Sequence, residues 1–336
     1  MLFRSDPETG DGKSLVHPLQ VSYIHQLVQS RLDRDTERPL LDLYSCLHSF
    51  CQSLQLEVLY SQTTRLIHQR LRDFLKIEDY NAGKSLVLSY WRDPSRRDGR
   101  LFPGAIHKLS IHVDENEPSH PLQLTHHPQI QGSENIKVAQ AIKSDHLSVE
   151  KLLMHTIQVR STAKLKDLER EMRLYIPGPC EIKELPSVLY VPVVYPCMEK
   201  ERLCITVDLL KGTFLASLGD QENELTDDVE KCLNGDHRDL KKLLTYLRIW
   251  IGLRRCELSV QHFLTPCEEK LPLIGVEGHP ISKLSPNKLF VRVPKQTTYY
   301  LIVEVEESEC KGIHYKHYLL QVSPSVFDSA GEDVQV

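Results

Sequence analysis

The 336-residue chain lacks an apolar run long enough to cross a bilayer. The longest such run, near Leu189 to Tyr195, has the length of a strand and is broken by Pro192. The first residues contain no apolar core typical of a signal peptide, so we expect no secretory leader. The sequence therefore predicts no membrane partner.

Cysteine pairs at metal-binding or redox spacing are also missing. The nine cysteines are odd in number and scattered, with no Cys-x-x-Cys. This pattern indicates reduced, mostly buried thiols in a cytosolic or nuclear protein. An excess of one charge sign is missing too, because 41 basic and 46 acidic side chains give a net charge of −5. Such a balance provides no overall attraction to nucleic acid.

Catalytic signatures are absent as well. Gly12-Lys13-Ser14 has the end of a phosphate-binding loop, but Pro7 stands where the motif requires its first glycine. We interpret that tripeptide as an ordinary turn. Cys180 could be an exposed thiol, but no base accompanies it in a known pattern, so we expect it to be inert. The sequence predicts no catalytic residue.

Two groups of histidines are candidate metal ligands. His120 with His126-His127, and His314 with His317, lack the spacing of known zinc sites. Pro128 predicts a loop around the first group, and strand alternation would send the second pair to opposite faces. The acidic run 114–117 lacks the glycine and glutamate of a calcium-binding EF-hand loop. We expect surface or hydrogen-bonded histidines, and neither a metal site nor a cofactor.

What the chain contains is a twice-repeated passage from long helices to short strands. Apolar residues at helical spacing predict helices from Val21, over about 40–75, over 148–175, and from an N-cap at Thr226 to about Phe263 with a break near Asn234-Gly235. Asn81 and Gly83 are expected to end the second of these helices. Period-two alternation predicts strands over 84–91, 109–113, 122–124, 188–195, 203–209, 213–218, 288–293, 299–305 and 313–322.

These elements predict an α+β fold of tandem modules, with antiparallel sheets covered by long amphipathic helices. We expect two such sheets, because three short strands cannot stand alone without a covering layer. Pro177-Gly178-Pro179 predicts the boundary between a first module, 1–176, and a second, 177–323. Residues 324–336 are expected to be a disordered tail.

Candidate interaction residues lie mainly in the helix predicted over 238–263. Leu240–Leu244 matches the Leu-x-x-Leu-Leu pattern of docking helices, and it also starts a stripe typical of a core. That stripe comprises Leu240, Leu244, Leu247, Ile251 and Leu258. Lys241, Arg248 and Arg255 recur beside it and could be a solvated flank or a contact for an acidic partner or phosphate backbone. Trp91, Trp250 and one of Tyr299 and Tyr300 are candidate interface anchors.

Several stretches resemble the Mediator subunit 14 family, whose members belong to the coactivator of RNA polymerase II. They occur in the family's order and span most of the chain: 24–32, 46–51, 53–59, 113–116, 121–123, 145–153 and 287–291. None is a chemical motif, so the number and order of the stretches make the match specific.

The resemblance implies an internal segment of a longer chain, with the first module N-terminally truncated and an apolar face of its first helices exposed. It implies an architectural scaffold without enzymatic activity, located in the nucleus. Such a subunit would bridge the head, middle and tail modules of Mediator, between activators and RNA polymerase II. The alternatives are a nucleic-acid-binding module using the basic flank of the 238–263 helix, and an enzyme with an unrecognised site.

Overall fold

The computed structural model describes residues 18–33, 38–92, 106–114, 122–130, 147–184, 186–219, 224–261, 267–268, 287–293, 299–308 and 312–321. The chain divides into two compact units, the first comprising 1–160 with 209–211 and the second 161–208 with 212–336. The predicted boundary at 176–177 separates segments that are expected to fold as modules, and it stays a prediction. Within the described ranges, no helix is long and apolar enough to span a membrane. The expected tail, 324–336, lies outside them.

The first unit contains one four-stranded antiparallel sheet, with the strand order β1-β2-β3-β4. Its helices and strands are α1 (Pro18–Leu32), α2 (Pro39–Leu66) with a π-helical turn at Ile67–Leu71, β1 (Lys76–Asn81), β2 (Ser85–Tyr90), β3 (His107–Val113) and β4 (Leu122–His127), followed by α3 (Val149–Met172), which continues into the second unit. Successive strands pair with their neighbours in the chain, so each connection is a hairpin.

The prediction of a helix over 40–75 that ends at Asn81 and Gly83 was wrong at its C-terminal side. The helix ends with the π-helical turn at Leu71, and Lys76–Asn81 forms β1. Gly83 instead makes the turn between β1 and β2, with φ +74, a backbone region that favours glycine. A Cβ at Gly83 would also lie 2.8 Å from Ser53 Oγ, so the turn packs directly against α2.

The core of the first unit lies between α2, α3 and one face of this sheet. Leu86 pairs with Ile111 and Leu88 with Leu109, which places four buried apolar side chains on a common face. Leucines of both helices complete this cluster: Leu56, Leu59, Leu152 and Leu153. Each such side chain contributes about 1.5–3 kcal/mol on full burial, so the helical layer and the sheet stabilise each other.

The second unit contains two further four-stranded antiparallel sheets, with the orders β5-β6-β7-β8 and β12-β11-β10-β9. The strands are β5 (Glu181–Glu184), β6 (Ser187–Pro192), β7 (Arg202–Val207), β8 (Phe214–Leu218), β9 (Cys267–Glu268), β10 (Lys288–Arg292), β11 (Tyr299–Glu307) and β12 (Ile313–Gln321). Along the chain, two helices follow β8 and precede β9: α4 (Glu224–Leu233) and α5 (Leu240–Val260). The α+β class is confirmed. The expected number of two sheets was wrong: the described residues form three, because each run of strands pairs only with its own neighbours.

Helix α5 rests directly on the last sheet. A Cβ at Gly252 would lie 2.7 Å from Val305 Cγ1, so only glycine permits this distance between helix and sheet. The interface continues with Leu289, Val291 and Val303, which pack against Leu253, Cys256 and Val260. The break near Asn234-Gly235 is confirmed, since α4 ends at Leu233. Thr226 is not an N-cap: it lies inside α4 and is buried.

Candidate interaction surfaces

The Leu240–Leu244 pattern is part of the protein core. Leu240, Leu244, Leu247 and Ile251 are at most 2% exposed. The core interpretation is therefore confirmed for these residues. Leu258, predicted to continue the stripe, is 50% exposed, so that part of the prediction was wrong. Leu258 lies on a different side of the helix from Cys256 and Val260, which pack on the last sheet.

The predicted basic flank of this helix does not form a cationic face. Arg248 is 2% exposed; its Nε donates to Val193 O at 2.9 Å, and its terminal nitrogens donate to Tyr175 O and to Glu307. Arg255 makes a two-pronged ion pair with Glu201, at 2.7 and 2.6 Å. Both guanidiniums are thus neutralised inside the fold, and of the three predicted flank residues, all of which the structure describes, only Lys241 is exposed.

His126 is the exception among the candidate metal ligands. It lies on β4 and not in a loop, it is 4% exposed, and neither ring nitrogen has a hydrogen-bond partner among the described residues. Burial, and then the charge of Arg160, lower the pKa of His126 to about 4. The prediction of a surface or hydrogen-bonded histidine was wrong here, because the strand runs up to Pro128. His314 and His317 are exposed on β12, as predicted.

Reactive groups do not converge in the described part of the chain. Burial raises the pKa of the Cys180 thiol to about 12, which disfavours the reactive thiolate; that this thiol is inert stays a prediction. Among the described residues, no three histidine, cysteine, aspartate or glutamate side chains are placed to share a metal ion. The motif Gly12-Lys13-Ser14, His120, Phe263 and residues 115–117 of the acidic run lie outside those residues.

Two of the predicted aromatic anchors are held inside the fold. Tyr300 is 1% exposed and Tyr299 is half-buried, so one of the pair is core, as predicted. Trp91 adopts φ 56, a strained backbone for a bulky residue, and its Nε1 donates to Leu209 O at 3.0 Å. That hydrogen bond lies within the first unit and fixes the indole. Tyr300 is therefore core, Tyr299 stays the candidate anchor of the pair, and Trp91 is half-buried.

Trp250 lines an open groove of about 520 Å³ in the second unit. The floor is Leu218 and Ile251, both buried, and the margins include Met198, which is 65% exposed, and Leu258. The Arg255–Glu201 ion pair closes one side. Tryptophan, methionine and arginine are enriched at protein interfaces, so this groove has the composition of a binding surface. Sequence periodicity could not reveal this groove, because Met198 and Trp250 are distant in the chain and only the fold brings them to one surface.

A second apolar surface lies on α1 and the first half of α2. Its side chains are large and between 48% and 75% exposed: Leu19, Tyr23, Leu32, Leu40, Leu41 and Tyr44. The expected exposed apolar face of the first helices is therefore confirmed. Exposed apolar patches of this kind mark interaction sites on stable proteins.

Comparisons with known proteins cover segments of both units. One family model, described as Mediator of RNA polymerase II transcription subunit 14, RM2, matches residues 67–147, from the π-helical turn beyond the first sheet. Another, described as the Med14 RM domain, matches residues 150–256, from α3 into α5. The human protein named Mediator of RNA polymerase II transcription subunit 14 is 42% identical over 95% of this chain.

The chain belongs to the Mediator subunit 14 family. The Anopheles gambiae and Caenorhabditis elegans members of the family are 41% and 28% identical over 95% and 94% of the chain. The alignments cover 22%, 20% and 21% of the human, mosquito and nematode proteins, so the chain spans about a fifth of the length of these relatives. The family resemblance seen in the sequence is thus confirmed.

Proposed function

We propose that the chain is a segment of an architectural scaffold subunit of the Mediator coactivator complex. In this role it holds other Mediator subunits of the head, middle and tail modules in fixed positions, in the nucleus, and links activators to RNA polymerase II indirectly. The observation that carries the proposal is the 42% identity to human Mediator subunit 14 along 95% of the chain. We propose no catalytic activity for it.

Hydrogen bonds between the secondary-structure elements of each unit support a spacing role. Arg248 joins α5 to β11 through Glu307 and to two backbone carbonyls elsewhere in the second unit. In the first unit, Gln62 Nε2 donates to Leu147 O and Gln62 Oε1 accepts from Val149 N, which fixes the start of α3 against α2. Such buried, directional contacts hold layers in one arrangement. A scaffold needs this rigidity to present separate surfaces at constant distances.

The exposed apolar surfaces supply the contacts of such a scaffold. The groove beside Trp250 and the α1–α2 face lie in different units and differ in character. The groove is a recess lined by mixed apolar and charged side chains, and the helical face is aromatic and aliphatic. Affinity at such surfaces comes from a few buried anchors, so single substitutions can remove it.

The proposal is tested by affinity purification of the tagged chain from nuclear extract in mild salt, followed by mass spectrometry. We expect other Mediator subunits to co-purify with the unaltered chain. A groove variant, Leu258→Asp, should lose part of them, while Leu174→Asp, also at an exposed leucine, should retain all. If the folded chain, checked by circular dichroism, recovers no Mediator subunit, the scaffold proposal is wrong.

A further inference from the structure

We draw no further inference here: the strongest candidate, the apolar pocket of about 200 Å³ in the first unit that Trp91, Met154 and Ile157 line, carries none because nothing in the described structure shows what occupies it.

Discussion

Arg160 and Arg248 are both buried, but the two units of the molecule compensate their charges differently. Arg248, on α5, is 2% exposed and faces the carboxylate of Glu307. Arg160, on α3, is 9% exposed and donates to neutral groups, Tyr90 Oη and Pro128 O. Burying a cation costs several kcal/mol unless it is paired. The ion pair with Glu307 offsets that cost for Arg248. For Arg160, neutral oxygens together with partial hydration must offset it.

The pKa values of the neighbours of Arg160 reflect this difference. His126, without hydrogen-bond partners, is held neutral by burial and by the nearby guanidinium. Burial is also the main reason that the pKa of Tyr90 is raised, while Arg160 acts in the opposite direction. The first unit thus excludes a second positive charge from this cluster. In the second unit, burial lowers the pKa of Arg248 and Glu307 counteracts the shift.

The largest expected effect comes from removing the paired arginine. Arg248→Ala deletes every bond of the guanidinium and leaves a cavity in the core, so we expect a loss of about 3–5 kcal/mol in the free energy of unfolding. Urea denaturation followed by circular dichroism measures it. Arg254→Ala, on the same helix but 40% exposed and paired with Glu257, should cost less than about 1 kcal/mol. Equal losses would mean that the buried Arg248–Glu307 ion pair contributes no more to the free energy of unfolding than the exposed Arg254–Glu257 pair does.

The second effect is a dependence of stability on pH in the first unit. Since the pKa of His126 is lowered to about 4, the unfolded chain binds this proton more readily than the folded one. Stability from this group is complete above pH 6.5 and is lost as the pH falls toward 4, by at most about 3 kcal/mol. His126→Leu should flatten the curve between pH 5 and 6.5, and His314→Leu, at an exposed site, should not. The lowered pKa values of Glu78 and Glu201 act below this window.

The third prediction concerns a variant whose second unit, like the first, has a buried arginine beside neutral acceptors. Glu307→Gln keeps a hydrogen-bond acceptor beside Arg248 but removes the negative charge, as at Arg160. We expect a loss of about 1–3 kcal/mol, since the guanidinium stays buried without compensation. The double variant Arg248→Met with Glu307→Gln should be more stable than the sum of the two single effects indicates, as a thermodynamic cycle from urea denaturation would show. Additive losses would show that the two side chains are not coupled.

The sequence allowed the layers to be predicted because burial leaves a periodic pattern. Leu86 and Leu88 alternate on β2, and Leu240, Leu244 and Leu247 repeat at helical spacing, so these elements were found near their observed bounds. Strand β1 was missed because Lys76–Asn81 is mostly polar and exposed. Its apolar residues Ile77 and Tyr80 are three positions apart, with a register shift between Ile77 and Asp79, so no period-two pattern reveals the strand.

The charged features could not be predicted, because their partners are distant in the chain. Arg248 repeats with Lys241 and Arg255, a pattern that fits either a solvated flank or a contact for a partner; only the fold brings Glu307 to it. His126 precedes a proline and was placed in a loop, whereas β4 carries it into the core beside Arg160. Local sequence does not specify such long-range pairs. They decide which arginine is available to a partner and which is structural.

The smallest expected effect comes from removing Arg160, which has no carboxylate partner among the described residues. Arg160→Met replaces the cation with an apolar side chain of similar length, and because no carboxylate is left behind, we expect a loss of only about 1 kcal/mol. The pKa of His126 should rise but stay below its usual value, since burial is the larger of its two causes. Nuclear magnetic resonance titration of the His126 ring measures the shift, and urea denaturation measures the stability. A loss as large as that of Arg248→Ala would mean that neutral oxygens compensate a buried guanidinium as well as a carboxylate does, and the contrast between the two units would then be one of geometry and not of charge.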